Sequence, residues 1–123
     1  MDNVNFYKNL EVWKKSMDLV TEVYKLTENF PSLEKYGLVN QMRRAAVSIP
    51  SNIAEWQKRG HSREFLQFLY VSYSSGAELE TQIEICKRLP KLKNLDYNKA
   101  ELLLQEVMKM LNVLIRSLKQ KLS

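Results

Sequence analysis

The chain has 123 residues and a mass of 14.5 kDa, which is enough for one domain because domains commonly contain roughly 100 to 200 residues. Hydrophobic residues make up 45% and charged residues 27% of it, values close to the globular average that argue against wholesale disorder. Only 3 Gly and 3 Pro are present, too few for the frequent turns of a barrel or sandwich of short strands. The composition therefore favours a single helical domain.

The charge is modestly positive, with 19 Lys and Arg against 14 Asp and Glu, a formal net charge of +5. Such an excess is compatible with binding a polyanion such as nucleic acid, although proteins without such a partner carry as much. Cys86 is the only cysteine, which excludes an intramolecular disulfide and fits a reducing cytosol. The N-terminal residues lack a signal-peptide pattern, and no apolar run approaches the roughly 20 residues of a membrane span. We therefore expect a soluble, cytoplasmic protein without membrane contacts.

Four segments carry apolar residues at spacings of three and four, which place side chains on one face of a helix. Pro31, Gly60 and Pro90 are expected to end the first three helices. Ser62 and Asp96 are expected to cap the third and fourth. The predicted helices cover about residues 8–29, 34–59, 62–89 and 96–121. Since the connections are short, we predict an all-α fold, an antiparallel up-and-down four-helix bundle that forms one domain over residues 1–123.

Pro50 lies inside the apolar stripe of the second predicted helix. A proline there removes one backbone hydrogen bond and crowds the preceding turn, at a cost of about 3 kcal/mol in an undisturbed helix. The apolar phase continues across it, because Met42, Ile49 and Trp56 recur every seven residues. We therefore predict one continuous helix with a kink at Pro50.

Apolar residues extend around most of the circumference of the first, third and fourth predicted helices, as in the stretch from Phe65 to Tyr73. A helix that is apolar on several sides is buried on several sides. In so small a domain the second burial surface is most simply another subunit, so we expect a homo-oligomer. The alternative is that these side chains are exposed, as many apolar surface atoms are.

Several enzyme classes lack their required residues. Ferritin-like metal sites need two E-x-x-H pairs, but His61 is the only histidine and is expected in an exposed or capping role. His61 and Cys86 together cannot close a common zinc site. The arginine that precedes histidine in HEPN-type ribonucleases, the paired E-x-x-E and E-x-x-D motifs of helical pyrophosphohydrolases and glycine-rich phosphate loops are also missing. We expect no metal, no cofactor and no enzymatic activity.

Polar residues line the boundary between the second and third predicted helices. If the hairpin turns near Gly60, residues that face each other have numbers summing to roughly 120. Ser48 then meets Ser74 or Ser75, and Arg44 lies opposite Glu78. We expect a partly buried Arg44–Glu78 salt bridge that sets the register. A catalytic furrow is the alternative, and its members would be Arg43, Arg44, Glu55 and Glu78.

Basic residues cluster at two predicted turns at opposite ends of the bundle. One cluster contains Lys58, Arg59, His61 and Arg63, and the other contains Lys87, Arg88, Lys91 and Lys93. Symmetric repetition in an oligomer would join each cluster into a collar that contacts phosphates without reading bases. The alternative is that basic residues near helix C-termini offset the helix dipole.

The stretch QMRRAAVSIPSNIAEW from Gln41 to Trp56, followed by EFLQFL from Glu64 and ELETQ from Glu78, resembles the four-helix bundle family of 23S ribosomal RNA intervening-sequence proteins. The resemblance covers nearly the whole chain. It implies an antiparallel four-helix bundle with a proline kink in helix 2, often assembled as a five-subunit ring. Relatives include the accessory variability determinant of diversity-generating retroelements, whose basic ring binds nucleic acid and the reverse transcriptase. Members are typically bacterial, and no catalytic activity is generally assigned to them.

The chain departs from the family pattern at two positions, because members usually have Gly where Trp56 and Ser74 stand. The first replacement bears on the geometry of the turn between helices 2 and 3 and on any ring contact made there. The polar residues carried over from the family are Arg43, Arg44, Ser48, Asn52, Glu55, Glu64 and Glu78. Because the pairing of helices 2 and 3 brings most of these residues to the boundary between the two helices, we expect most of them to stabilise the fold.

We therefore expect a non-enzymatic, oligomeric helical scaffold, a pentamer by the resemblance, that binds RNA or DNA non-specifically through phosphates. One alternative is a protein-interaction module that docks a partner such as a polymerase or reverse transcriptase; another is an enzyme working in the polar furrow. The predicted nucleic-acid contacts are Arg43, Lys58, Arg59, Arg63, Lys87, Arg88, Lys91 and Lys93.

Overall fold

The computed structural model describes residues 6–60 and 62–122, and over these ranges the chain is helical and contains no strand. Short 3₁₀ turns at Phe6–Asn9, Ser32–Glu34 and Arg63–Phe65 and a π-helical segment at Lys35–Val39 precede the longer helices. The long helices are α1 (Glu11–Thr27), α2 (Asn40–Arg59), α3 (Gln67–Arg88) and α4 (Asn98–Leu122). The prediction of an all-helical fold with four helices is therefore confirmed.

Gly60 and Asp96 act at their helix ends as the sequence predicts, whereas Ser62 does not. Gly60 adopts a left-handed φ of 105° and ends α2, as its lack of a Cβ allows. The backbone N–H of Asn98 donates to the Asp96 carboxylate over 3.0 Å, which caps the start of α4. Ser62, however, makes no side-chain capping bond. A 3₁₀ turn follows it instead, so α3 begins only at Gln67, later than the predicted residue 62.

Pro50 lies inside α2, and the helix continues through it, as its uninterrupted apolar phase predicted. Two polar side chains near the proline bond to backbone carbonyl groups of the preceding turn. Ser51 Oγ donates to the Val47 carbonyl over 2.8 Å, and Asn52 Nδ2 donates to the Ser48 carbonyl over 2.8 Å. These bonds satisfy the Ser51 and Asn52 side chains within the helix, whereas the carbonyl that loses its backbone donor at Pro50 is that of Ala46.

The hydrophobic core lies between the four helices, each of which contributes fully buried side chains such as Leu19, Ile49, Leu79 and Leu111. Contacts join α1 to α2, α2 to α3, α3 to α4 and α4 to α1. None of the helices in the described ranges is both long and apolar enough to span a membrane.

Small residues let α3 approach both of its neighbours closely. Ser72 Oγ donates to the Ile49 carbonyl over 2.9 Å, and Ser75 Oγ donates to Ser48 Oγ over 2.8 Å. The second bond confirms the prediction that Ser48 meets Ser74 or Ser75. On the α4 side, a Cβ added at Gly76 would overlap the sulfur of Met108. Close packing of α3 therefore depends on small side chains at these positions.

The two positions that depart from the family pattern have different environments. Trp56 is only 3% exposed and belongs to the hydrophobic core, where it extends the stripe of Ile49 and Ile53 to the end of α2. Ser74 is exposed on α3. The tryptophan therefore adds buried apolar surface just before the turn at Gly60.

Candidate nucleic-acid interface

The start of α3 and the end of α4 meet at one end of the bundle. Arg63 Nη2 donates a hydrogen bond to the carbonyl oxygen of Leu122 over 2.6 Å. The turn between α2 and α3 therefore shares this end with the last turns of α4, which are rich in Lys and Arg. We call the resulting group of cations the basic end, and its members are Lys58, Arg59, Arg63, Arg116, Lys119 and Lys121.

A cleft of about 520 Å³ opens between α3 and α4 at the basic end. A neighbouring cleft of about 350 Å³ shares Lys119 with it and adds Asn112 and Arg116. We call the two together the α3–α4 cleft. Glu64 is the only carboxylate among its lining residues in the described part of the chain. The wall of the larger part consists of Arg63, Glu64, Leu66, Gln67, Tyr70, Lys119 and Leu122.

Arg63 has both a structural and an electrostatic role in this cleft. The carbonyl groups in the last turn of a helix have no partner within the helix, and Arg63 satisfies that of Leu122. A guanidinium carries five N–H donors, and the donors of Arg63 that bond to no other described residue can bind an anion. Because the bond holds the side chain in place, its positive charge lies at a defined position on the cleft wall.

Two other predicted contacts at the basic end are engaged within the protein. Arg59 Nε lies 3.1 Å from Glu55 Oε2, and its guanidinium lies 5.8 Å from the centre of the Phe68 ring. Lys58 Nζ lies 5.6 Å from the centre of the Tyr7 ring. Glu55 therefore offsets the charge of Arg59, whereas Lys58 is exposed and forms no ion pair with another described residue.

Arg43 lies between α1 and α2, away from the basic end. Its Nε donates to Thr27 Oγ1 over 2.9 Å, and its guanidinium carbon lies 4.3 Å from the centre of the Tyr24 ring. Its Nη2 also donates to the Tyr24 carbonyl. These contacts tie the end of α1 to the start of α2, so the structure places Arg43 in an internal contact.

The turn between α3 and α4 lies at the other end of the bundle. Lys87 Nζ lies 2.6 Å from Glu101 Oε2, and this hydrogen bond raises the pKa of Lys87. The remaining basic residues there are exposed, and no ion pair with another described residue engages them. We call this group the turn cations, and its members are Arg88, Lys91 and Lys93.

The polar furrow between α2 and α3 forms a shallow cleft of about 320 Å³ lined by Gln41, Arg44, Ala45, Ser48, Ser75 and Glu78. Arg44 and Glu78 both lie there, but both are exposed and no ion pair joins them within the described part of the chain. The expected salt bridge is not formed, because an exposed pair gains at most about 1 kcal/mol. The two helices are joined instead by hydrogen bonds from Ser75 Oγ to Ser48 Oγ and from Ser72 Oγ to the Ile49 carbonyl, and Asn52 Nδ2 also donates to Ser48 Oγ within α2 over 3.0 Å.

The remaining predicted polar residues have ordinary environments. Glu78 Oε2 accepts a hydrogen bond from Gln82 Nε2 over 3.3 Å, and Glu64 is exposed on the wall of the α3–α4 cleft. His61 lies outside the described residues. Over residues 6–60 and 62–122, no cluster of three His, Cys, Asp or Glu side chains is arranged to hold a metal ion.

The single cysteine is part of the core. Cys86 Sγ lies 3.7 Å from Met42 Sδ, and burial raises the pKa of its thiol. Tyr97 lies close by, and its hydroxyl donates to the Leu92 carbonyl over 2.7 Å. Burial also raises the pKa of Tyr97. Both groups therefore stay protonated and inert at neutral pH, in agreement with a structural role.

Grouping basic residues by predicted turn misses the cations contributed by α4. Arg116, Lys119 and Lys121 occupy the last turns of the fourth helix, where they match the preference of helix C-termini for positive charge. In the up-and-down topology that the sequence predicts, the end of the fourth helix lies beside the turn between the second and third. Combining this predicted topology with the positions of the basic residues in the sequence identifies the three α4 cations as part of the basic end.

Comparison with protein-family models gives one match, to the 23S rRNA-intervening sequence protein family, over residues 8–113. The matched range includes α1, α2 and α3 and more than half of α4, and it ends before Arg116. No curated protein matches the chain. Since the family model covers most of the sequence and all four of its helices contribute to the match, this chain belongs to the 23S rRNA-intervening sequence protein family.

Proposed function

We propose that this protein is a non-enzymatic, oligomeric helical scaffold that binds RNA or DNA through phosphate groups at its basic end. The convergence of Arg63, Arg116 and Lys119 on one cleft supports this proposal. Cations grouped in this way attract a polynucleotide backbone and release its condensed counterions, and they need no contact with base edges. The family name connects its members with 23S rRNA, which makes RNA the first probe.

The basic end is a stronger candidate than the turn cations because of the acidic residues around each. At the α3–α4 turn, Glu101 neutralises Lys87, and Glu84 lies on the last turns of α3. Around the α3–α4 cleft, by contrast, Glu64 faces three cations. The turn cations would form a second, weaker contact surface at the opposite end of the bundle.

We infer an antiparallel up-and-down arrangement of the four helices. In α1 and α4, Lys15 pairs with Glu106 and Glu22 pairs with Lys99, so that partners later in one helix lie earlier in the other. The α2–α3 pairs follow the same order, as in Ser48 with Ser75 and Met42 with Cys86. A kink at Pro50 follows from its missing N–H and from the crowding of the Ala46 carbonyl by its ring.

The apolar side chains that remain exposed support an oligomer. Leu102 and Val113 on α4 are each 60% exposed, and Val71 and Ile85 on α3 are each 44% exposed. Contact with further copies of the chain would remove this surface from water. The resemblance makes five subunits the expected number, and a ring would repeat the basic end around its axis. The unpaired, buried Cys86 agrees with a cytoplasmic location.

The test is the solution mass of the protein with and without a generic RNA, followed by binding measured over a range of salt concentrations. We expect an oligomeric mass, a heavier complex with RNA and a steep loss of affinity between roughly 50 and 200 mM salt. A strict monomer would overturn the scaffold. Absent or salt-insensitive binding would overturn the nucleic-acid proposal, and a partner captured after nuclease treatment would then favour protein docking.

A further inference from the structure

Tyr70 places an aromatic ring on the wall of the α3–α4 cleft. The residue is 42% exposed, and the cleft that it lines also contains Arg63 and Lys119. No ring contact or side-chain hydrogen bond with another described residue engages Tyr70. The ring is therefore available to a ligand in the same cleft as the cations.

A second tyrosine follows on the same side of α3. Tyr73 is 36% exposed, and residues three apart on a helix are surface neighbours with Cβ atoms roughly 5 to 6 Å apart. Across the cleft, Asn112, Arg116 and Lys119 follow one another at helical spacing along α4. Polar and cationic side chains of α4 therefore line the cleft together with the Tyr70 ring, whereas Tyr73 lies next to Tyr70 outside the cleft lining.

An aromatic ring beside cations favours single-stranded over double-stranded nucleic acid. In a duplex the bases are stacked on one another, and a side chain outside the grooves meets only phosphate and sugar. In a single strand the base faces are accessible, and they stack on aromatic side chains without regard to sequence while cations follow the backbone. A cleft of about 520 Å³ also lies within the usual range of roughly 300 to 1,000 Å³ for pockets that enclose small molecules.

We infer that the α3–α4 cleft binds single-stranded polynucleotide, with one base stacked on Tyr70 and neighbouring phosphates bound by Lys119 and Arg116. This inference rests on the proposed nucleic-acid function and adds the form of nucleic acid that the site accepts. Tyr70 contributes a sequence-independent contact, because every base presents a π face. RNA and DNA share this chemistry.

The experiment measures binding of a labelled single-stranded RNA of about a dozen nucleotides, of the DNA of the same sequence and of the corresponding duplexes. The protein variants are Tyr70→Ala, which removes the ring, and Tyr70→Phe, which keeps it. Ser74→Ala is a matched control, because Ser74 is also exposed on α3 but is absent from the cleft lining. Since these side chains are exposed, the folded state should survive each change, which circular dichroism checks.

We expect the wild-type protein to prefer single strands and Tyr70→Ala to weaken single-strand binding by roughly 5- to 100-fold, the usual effect of losing one stacked base. Tyr70→Phe and Ser74→Ala should bind like the wild type, and duplex binding should be the same for all four proteins. The salt dependence should also stay unchanged in Tyr70→Ala, since no phosphate contact is lost.

Two results would overturn the inference while leaving the proposed function intact. One is duplex binding as tight as single-strand binding; the other is a Tyr70→Ala variant that binds single strands like the wild type. Failure of the wild-type protein to bind any of the four nucleic acids would overturn the proposed function itself. Similar binding of single-stranded RNA and DNA would support the inference, because both present the same base faces and phosphates.

Discussion

Arg63 and Leu122, 59 positions apart in the chain, are joined by a hydrogen bond of 2.6 Å from the guanidinium to the backbone carbonyl. The bond satisfies a carbonyl group at the end of α4 that has no partner in its own helix. It also holds a cation at the mouth of the α3–α4 cleft. One contact thus closes the end of the bundle and positions a charge for the proposed ligand.

The first prediction concerns the cations of the cleft. Lys119→Ala should weaken binding of single-stranded RNA uniformly across sequences and lower the slope of log K against log salt by about 0.7, the value for one lost phosphate contact. Lys109→Ala is the matched control, since Lys109 is exposed on the same helix but does not line the cleft. Fluorescence anisotropy at four salt concentrations gives both slopes, and equal slopes for the two variants would contradict the assignment.

The second prediction separates two adjacent arginines. Arg43→Ala should lower the free energy of unfolding by about 1–2 kcal/mol, because Thr27 loses its charged hydrogen-bond donor. Arg44→Ala should change it by no more than about 0.5 kcal/mol, because Arg44 is exposed and no ion pair engages it within the described residues. Urea unfolding measures both. An equal effect of the two changes would mean that Arg43 does not tie α1 to α2.

The third prediction tests the close approach of α3 and α4. Alanine in place of glycine inside a helix is worth about 1 kcal/mol of intrinsic propensity, but a Cβ at Gly76 would overlap Met108. Gly76→Ala should therefore stabilise the protein by about 1 kcal/mol only in a Met108→Ala background.

A thermodynamic cycle of the two single variants and the double variant, followed by urea unfolding, measures this coupling. In the wild-type background the gain in propensity should be cancelled or reversed by the displaced methionine. The same gain in both backgrounds would show that the two helices do not constrain position 76.

The fourth prediction concerns alkaline pH. Burial raises the pKa of the Cys86 thiol, whereas an unfolded thiol titrates near about 8.5. Below that pH the thiol is protonated in both the folded and the unfolded protein, so it adds no pH dependence to the free energy of unfolding. Above it the unfolded chain loses a proton that the folded protein keeps, so stability should fall as pH rises.

Urea unfolding at several values between about pH 7.5 and 9.5, below the usual tyrosine pKa of about 10, isolates this effect. The wild-type protein should lose stability over this range, and Cys86→Ala should show a smaller slope whatever its absolute stability. The buried Tyr97 should add a further loss at higher pH, since its pKa is raised as well. Identical slopes with and without the thiol would show that Cys86 titrates normally in the folded state.

Residue numbers alone predict part of the contact between α2 and α3. Counting back from Gly60 predicted that Ser48 meets Ser74 or Ser75, and Ser75 is the residue that bonds to it, because short helical hairpins bring residues with a constant sum together. The same count brought Arg44 and Glu78 to one furrow but not into a salt bridge. Long charged side chains keep many exposed conformations, and their choice depends on solvation, which the register does not specify.

Sequence by itself determined the four helices, the break at Gly60 and the family, because helical spacing, breakers and motifs lie within short stretches of chain. Only the tertiary structure decided which charges act together. Packing brings Arg63 beside the end of α4, places Lys119 in the same cleft and neutralises Lys87 with Glu101. Electrostatic effects depend on distances in space, and residues far apart in sequence acquire those distances only when the helices pack.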